Sequence, residues 1–239
     1  MALPKLAVPT HNLIVPSSGK RVSFRPYLVK EEKLLMMAME SNSELEMIVA
    51  VKSIIESCTE GELTEKDITM FDLEYFFTHL RAKSVGENST VSIACTSCEH
   101  KNEQNIDISR AEVLGLPKDK KEYIKDVNEE VKVKLRYPTI ARVIDILSDV
   151  EKTSDIDLAY KVIGDCVDEI YFGEEIYDAK EQTPEELQSF IESMNSKQFN
   201  TIRQFVEAPP TVALTHEFDC EKCDHHNKVE LKGLLSFFS

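Results

Sequence analysis

Four cysteines stand in two Cys-x-x-Cys knuckles, Cys95-Thr-Ser-Cys98 and Cys220-Glu-Lys-Cys223. The residues that follow match as well, Glu99-His-Lys-Asn102 against Asp224-His-His-Asn227, so the chain contains an internal repeat. Four thiolates on two tight turns can surround one zinc ion tetrahedrally, and a site closed in this way has no open position for water or substrate. The chemistry it offers is structural: the ion ties two parts of the chain together. Residues 99–219 separate the knuckles, far more than the roughly 15 to 20 residues between the halves of a contiguous ribbon. The spacing therefore predicts an insert. Other readings stay open at this level, namely buried unpaired thiols, a site that has lost its metal, or a redox pair, which needs a strand-to-helix context these knuckles lack. His100, His225 and His226 lie close enough to replace a cysteine or to donate from a second layer.

The elements that must position these groups follow from pattern. Each knuckle lies between short alternating segments, Thr90–Ala94 and Asn105–Ile108 for the first, Val212–Phe218 and Lys228–Leu231 for the second. Strand, knuckle, strand, repeated, is the layout of a zinc ribbon assembled from two hairpins. Upstream, residues 11–25 read as a hairpin turning at Pro16-Ser-Ser-Gly19, followed by helices over Val29–Glu40, from a Ser43 capping box toward Gly61, and over Met70–Lys83. The insert reads as mainly helical. It has candidate helices at Thr139–Val150, at Ile156–Phe172, after the capping box Thr183-Pro-Glu-Glu186, and at Ser196–Glu207, with one exposed-looking strand at Val131–Tyr137. The expected fold class is thus α+β. Its expected divisions are an N-terminal hairpin and helical region at 1–88, a discontinuous ribbon at 89–108 and 211–233, a mainly helical insert at 109–210, and an apolar tail at 234–239.

With 239 residues and 42% hydrophobic side chains, the chain can bury an ordinary core. Its formal charge of −15 opposes nucleic-acid binding, which rests on clustered Lys and Arg. The charge is uneven, since residues 1–30 hold Lys5, Lys20, Arg21, Arg25 and Lys30 and no acid. No apolar run reaches the roughly 20 residues of a membrane span, and the start lacks the pattern of a secretion signal, so the expected setting is cytoplasmic. Cys58 and Cys166 fall on apolar helical faces and read as core. The seven glycines are scattered, with neither a phosphate loop nor a dinucleotide fingerprint. No serine elbow or His-Glu-x-x-His is present, and the paired carboxylates Glu174-Glu175 and Glu185-Glu186 read as loop and helix-start groups. No catalytic set or small-molecule substrate site is expected. Two segments suit a partner: the basic hairpin, where Arg21, Ser23 and Arg25 alternate with Val22 and Phe24, and the tail with Leu234, Leu235, Phe237 and Phe238. Packing on the protein's own core is the competing reading for both.

Several strings occur in a specific order. They are Phe24-Arg-Pro-Tyr-Leu-Val-Lys-Glu-Glu-Lys-Leu-Leu35, Phe71-Asp-Leu-Glu-Tyr-Phe-Phe77 and Leu80-Arg-Ala-Lys-Ser-Val-Gly86. A C-terminal block joins them: Phe190-Ile-Glu-Ser-Met194, Gln198-Phe199, Ile202-Arg-Gln-Phe-Val-Glu207, Cys220-Glu-Lys-Cys223 and Leu231-Lys-Gly-Leu-Leu-Ser-Phe-Phe238. In these the chain resembles the baseplate hub and hub-assembly proteins of T-even-type contractile-tail phages, over nearly its whole length. The resemblance implies a non-enzymatic late viral protein that helps build the central hub of the tail baseplate, with other hub and tail proteins as partners and with the virion or the host cytoplasm during assembly as its place. It carries a metal role most directly onto Cys220 and Cys223, while Cys95 and Cys98 rest on the internal repeat. The alternative is a zinc-ribbon adaptor for nucleic acid or transcription machinery, against which the net charge counts.

Overall fold

The structure, a computed structural model, describes residues 6–148 and 155–233. The apolar tail, and the end of the expected helix at Val150, lie outside the described residues. The chain forms two compact units, one from the chain up to Leu114 and from Thr211 onward, the other from Gly115–Pro210.

The first unit opens with a hairpin of β1 (His11–Ile14) and β2 (Arg21–Phe24), paired from His11↔Phe24 to Ile14↔Arg21. Gly19 takes a positive φ of 70° in its turn, a conformation that costs glycine little. Val22 and Phe24 point inward and are buried, while Arg21 and Ser23 face out. Three helices follow, α1 (Val29–Glu40), α2 (Glu44–Cys58) and α3 (Met70–Ser84). Ser43 caps α2 by accepting the Glu46 N–H at 3.3 Å. Below the cap, Ile48, Val51, Ile54, Ile55 and Cys58 recur at helical spacing and are all buried, as an amphipathic helix requires. Burial pushes the Cys58 thiol up to about 11, so it is an inert core group.

Two buried acids lock the hairpin to the helices. Asp72 Oδ2 accepts the Thr69 N–H at 2.9 Å and hydroxyl at 2.7 Å, and its Oδ1 accepts the Ser17 N–H of the hairpin turn at 2.9 Å. Glu31 Oε1 accepts from Arg25 at 2.9 Å and from the Ser57 hydroxyl at 2.9 Å, and Oε2 accepts the Leu28 N–H at 2.8 Å. Arg25 is therefore an internal strut and not part of a free basic arm. Burial disfavours the Glu31 carboxylate, yet Arg25 and the other donors outweigh it and lower its pKa to about 2.

The rest of this unit is sheet. β3 (Asn88–Ala94) pairs with β4 (Lys101–Asp107), and β10 (Thr211–Asp219) lies between β11 (His226–Lys232) and β5 (Glu112–Leu114). Val91, Ile93, Ile106, Val212, Leu214 and Phe218 meet Ala82 of α3 in one apolar cluster. Leu114 pairs with Thr211, so the strand leading into the insert and the strand leaving it are neighbours.

Among its described residues the second unit has four α-helices, α4 (Ile140–Ser148), α5 (Asp155–Asp165), α6 (Pro184–Glu192) and α7 (Ser196–Glu207). It also holds an antiparallel sheet in the order β6 (Ile124–Asp126), β7 (Val131–Leu135), β8 (Val167–Phe172), β9 (Glu175–Asp178). Pattern anticipated only β7 of these strands. It is an interior strand, with Val133 and Leu135 buried on one face. The expected helix to Phe172 ends at Asp165, and the chain turns at buried Cys166 into β8. Ile163, Val167, Ile170, Ile191, Ile202 and Phe205 make the core. Gly115, with φ of 77°, comes so close to Pro210 that a Cβ there would stand 3.9 Å from its Cα. The folded insert thus returns the chain to where it left.

Candidate metal centre

Each knuckle is a turn between paired strands, and the two turns are built alike. The Cys95 N–H donates to the His100 carbonyl at 2.8 Å and the Glu99 N–H to the Cys95 carbonyl at 3.0 Å. Their counterparts are Cys220 to His225 at 3.0 Å and Asp224 to Cys220 at 2.9 Å. Glu99 and Asp224 close the turns with φ of 59° and 54°, left-handed backbone that a short side chain such as Asp224 tolerates readily and that is uncommon for Glu99. The repeat read from sequence is therefore a repeat of geometry.

The turns bring all four sulfurs within 4.8 Å of one another. Cys95 Sγ lies 3.7 Å from Cys223 Sγ, and Cys98 Sγ lies 3.7 Å from Cys220 Sγ. Four sulfurs each about 2.3 Å from a tetrahedral centre stand about 3.8 Å apart, so the closest pairs have the spacing that zinc requires. Both close pairs join one knuckle to the other, and an ion there would cross-link the hairpins. Among the described residues this mutually close ligand group consists of cysteines alone. His226 is engaged elsewhere, with Nδ1 2.8 Å from Asp219 Oδ1.

The local field favours sulfur anions at the first cysteine of each knuckle. Burial opposes ionisation of Cys95, but the N–H groups of Cys98 and Ser97 and the contacts with Asn227 and Cys220 prevail and bring it down to about 6. Burial likewise opposes Cys220, and the N–H groups of Lys222 and Cys223 lower it. At Cys223 the His225 N–H favours the thiolate, but the three neighbouring sulfurs outweigh it and raise the group to about 12. Four sulfurs held this close repel one another as anions, and a divalent cation among them relieves that repulsion.

Two buried asparagines complete the arrangement. Asn102 Nδ2 donates to the His100 carbonyl at 2.9 Å while its Oδ1 accepts the Glu221 N–H at 2.9 Å. Asn227 Nδ2 donates to the His225 carbonyl at 2.8 Å while its Oδ1 accepts the Thr96 N–H and hydroxyl, both at 2.9 Å. Both residues stand in the sequence repeat, where pattern alone assigns them no role. The signal was their common offset, four residues after the second cysteine of each knuckle.

Fold and site together define a class: a protein with a zinc-ribbon-like module made of two sequence-distant hairpins around a four-cysteine cluster suited to a structural metal ion, and with a folded insert between them. The chain belongs to the family described as T4 bacteriophage base plate protein, whose model matches residues 8–239. It is accordingly a structural or assembly protein of a phage baseplate, with baseplate and tail proteins as its partners. Comparison with curated proteins and with solved structures gives no match. No helix among the described residues is long and apolar enough to cross a membrane.

Proposed function

We propose that this chain helps build the central hub of the baseplate, acting through protein–protein contacts, and that Cys95, Cys98, Cys220 and Cys223 hold one structural zinc ion. The observation that carries the ligand assignment is the 3.7 Å approach of sulfurs from hairpins so far apart in sequence. The insert, in this reading, is a compact unit of its own. Its place is the host cytoplasm during hub assembly, the tail baseplate hub of the virion, or both in turn. An acidic chain of −15 without a catalytic set suits a building element better than a nucleic-acid adaptor.

The test has two arms. Metal analysis of the purified chain should give about one zinc per molecule, and a folded metal-free preparation with four freely reactive thiols would remove the ligand assignment. Co-purification from infected cells should recover hub proteins, and mass spectrometry of purified virions should contain the chain. Recovery with wedge or tube proteins alone would overturn the hub placement, and absence from virions would confine the protein to assembly.

A further inference from the structure

We infer that Asn102 and Asn227 form a reciprocal clasp that docks the two knuckles and sets the spacing of the four sulfurs before an ion arrives. This rests on the ligand assignment above and adds to it the groups that position those ligands.

A primary amide has a donating and an accepting end, and here each end serves a different hairpin. The donating end braces its own knuckle, on the same carbonyl that receives the Cys95 or Cys220 N–H. The accepting end holds the opposite knuckle at the residue next to its first cysteine, Glu221 beside Cys220 and Thr96 beside Cys95. One partner must be a carbonyl and the other an N–H, so only one orientation of each amide satisfies both. The two side chains are 0% and 1% exposed, and buried polar groups are held in place by the cost of leaving them unpaired. Aspartate would lose the donor and add an anion beside four sulfurs, glutamine is one methylene too long, and alanine removes both bonds. The clasp ties backbone atoms of the two hairpins directly, without passing through the sulfurs. It therefore operates in the metal-free chain, and its contribution is preorganisation.

The experiment uses the full-length chain. Zinc affinity is measured by competition with a chromophoric chelator, and the cobalt-loaded protein is read by its ligand-field absorption, which reports tetrahedral thiolate geometry. Asn102→Ala and Asn227→Ala should each weaken zinc by about 10- to 100-fold, the range for groups that orient metal ligands. Asn227→Ala should lose more, because it also releases the Thr96 hydroxyl. In the metal-free protein Asn102→Ala should speed amide exchange at Glu221 and Asn227→Ala at Thr96. Ile106→Val, in the same apolar cluster, should lower stability and leave the cobalt spectrum unchanged. Should an alanine variant fail to fold, Thr96→Val removes a single clasp bond and should still weaken zinc measurably. Wild-type affinity and an unaltered cobalt spectrum in Asn102→Ala, Asn227→Ala or the fallback Thr96→Val would overturn the clasp while leaving the ligands in place. A wild-type chain that takes up neither zinc nor cobalt would overturn the ligand assignment and the clasp with it.

Discussion

The ribbon and the insert reach stability by opposite routes. In the ribbon, two buried asparagines and the buried Cys95 and Cys220 stand at the knuckles, and its apolar cluster is completed by α3. In the insert, Tyr137 stacks on Phe205 at 4.5 Å, Tyr123 meets both edge-on, and Val133, Val167 and Ile202 are fully buried in the core. Hairpins of two strands are marginal in water, so the ribbon needs local cross-links, whereas a sheet covered by helices is held by area and packing. The comparison also explains how a metal site tolerates an insert of this size. Because Leu114 pairs with Thr211 and Gly115 lies against Pro210, the folded insert closes the gap that a free loop would close only at an entropic cost.

The largest effect expected from this contrast is on the ribbon alone. Cys220→Ser and Cys95→Ser should each abolish stoichiometric zinc, and the two should behave alike because each removes one sulfur from a shared site. Hydrogen exchange should show β3, β4, β10 and β11 losing protection while β7 and β8 keep theirs. Uniform loss across both units would mean that the insert depends on the ion. The reverse perturbation is Phe205→Ala, which removes the centre of the aromatic stack and should cost about 3–5 kcal/mol, the usual figure for an aromatic in a core. It should leave zinc content at one ion per chain. A drop in metal occupancy with this variant would break the comparison from the other side.

What was legible in the sequence divides along the same line. The knuckles, their flanking strands, α1 and α7 were read closely, because cysteine spacing, caps and helical periodicity are local signals. The β8 strand was missed for a physical reason. Ile163, Val167 and Ile170 repeat at i, i+4 and i+7, which is the spacing of a helix face. The structure puts Ile163 on α5 and the other two on β8, all in one core, and the pairing of β8 with β7 and β9 decides the matter. β5, β6 and β9 span only three or four residues, too few for alternation to register. Arg25 read as an exposed cation because its partner Glu31 lies on the next element. In the site, the four sulfurs were legible and the asparagine bonds were not, since a repeated Asn specifies an offset and says nothing of what it touches.

A third perturbation concerns the hairpin and helices beside the ribbon, where an ion pair takes the place of a metal. Glu31 has a folded pKa of about 2 against 4.5 unfolded and is 5% exposed, a difference worth about 3 kcal/mol. Its folded pKa is depressed, so this stabilisation is complete above pH about 4.5 and is lost as pH falls toward about 2. Glu31→Gln should therefore be less stable than wild type at neutral pH, and the two denaturation curves should converge through that window. Acid release of zinc is common to both proteins and cancels in the difference. A gap that stays constant down to pH about 2 would show that Glu31 acts by packing and not by charge.

The smallest effect expected is at a helix start in the insert, and it tests how local the insert's stability is. Thr183 Oγ1 accepts the Glu186 N–H at 3.2 Å, the Thr183 N–H donates to Glu186 Oε2 at 2.8 Å, and Pro184 follows at the first helical position. Removing a capping hydroxyl costs about 1 kcal/mol, because a helix N-terminus then loses a partner for one of its orphan N–H groups. Thr183→Ala should lower the thermal midpoint of the insert by a few degrees and speed exchange at the first amides of α6. The ribbon amides and the zinc content should not change. If the ribbon amides respond to so small a change in the other unit, the two units unfold as one cooperative body and the contrast between metal and core does not describe separate stabilities. If only α6 responds, the insert answers to its own caps and core, as its self-contained apolar cluster implies.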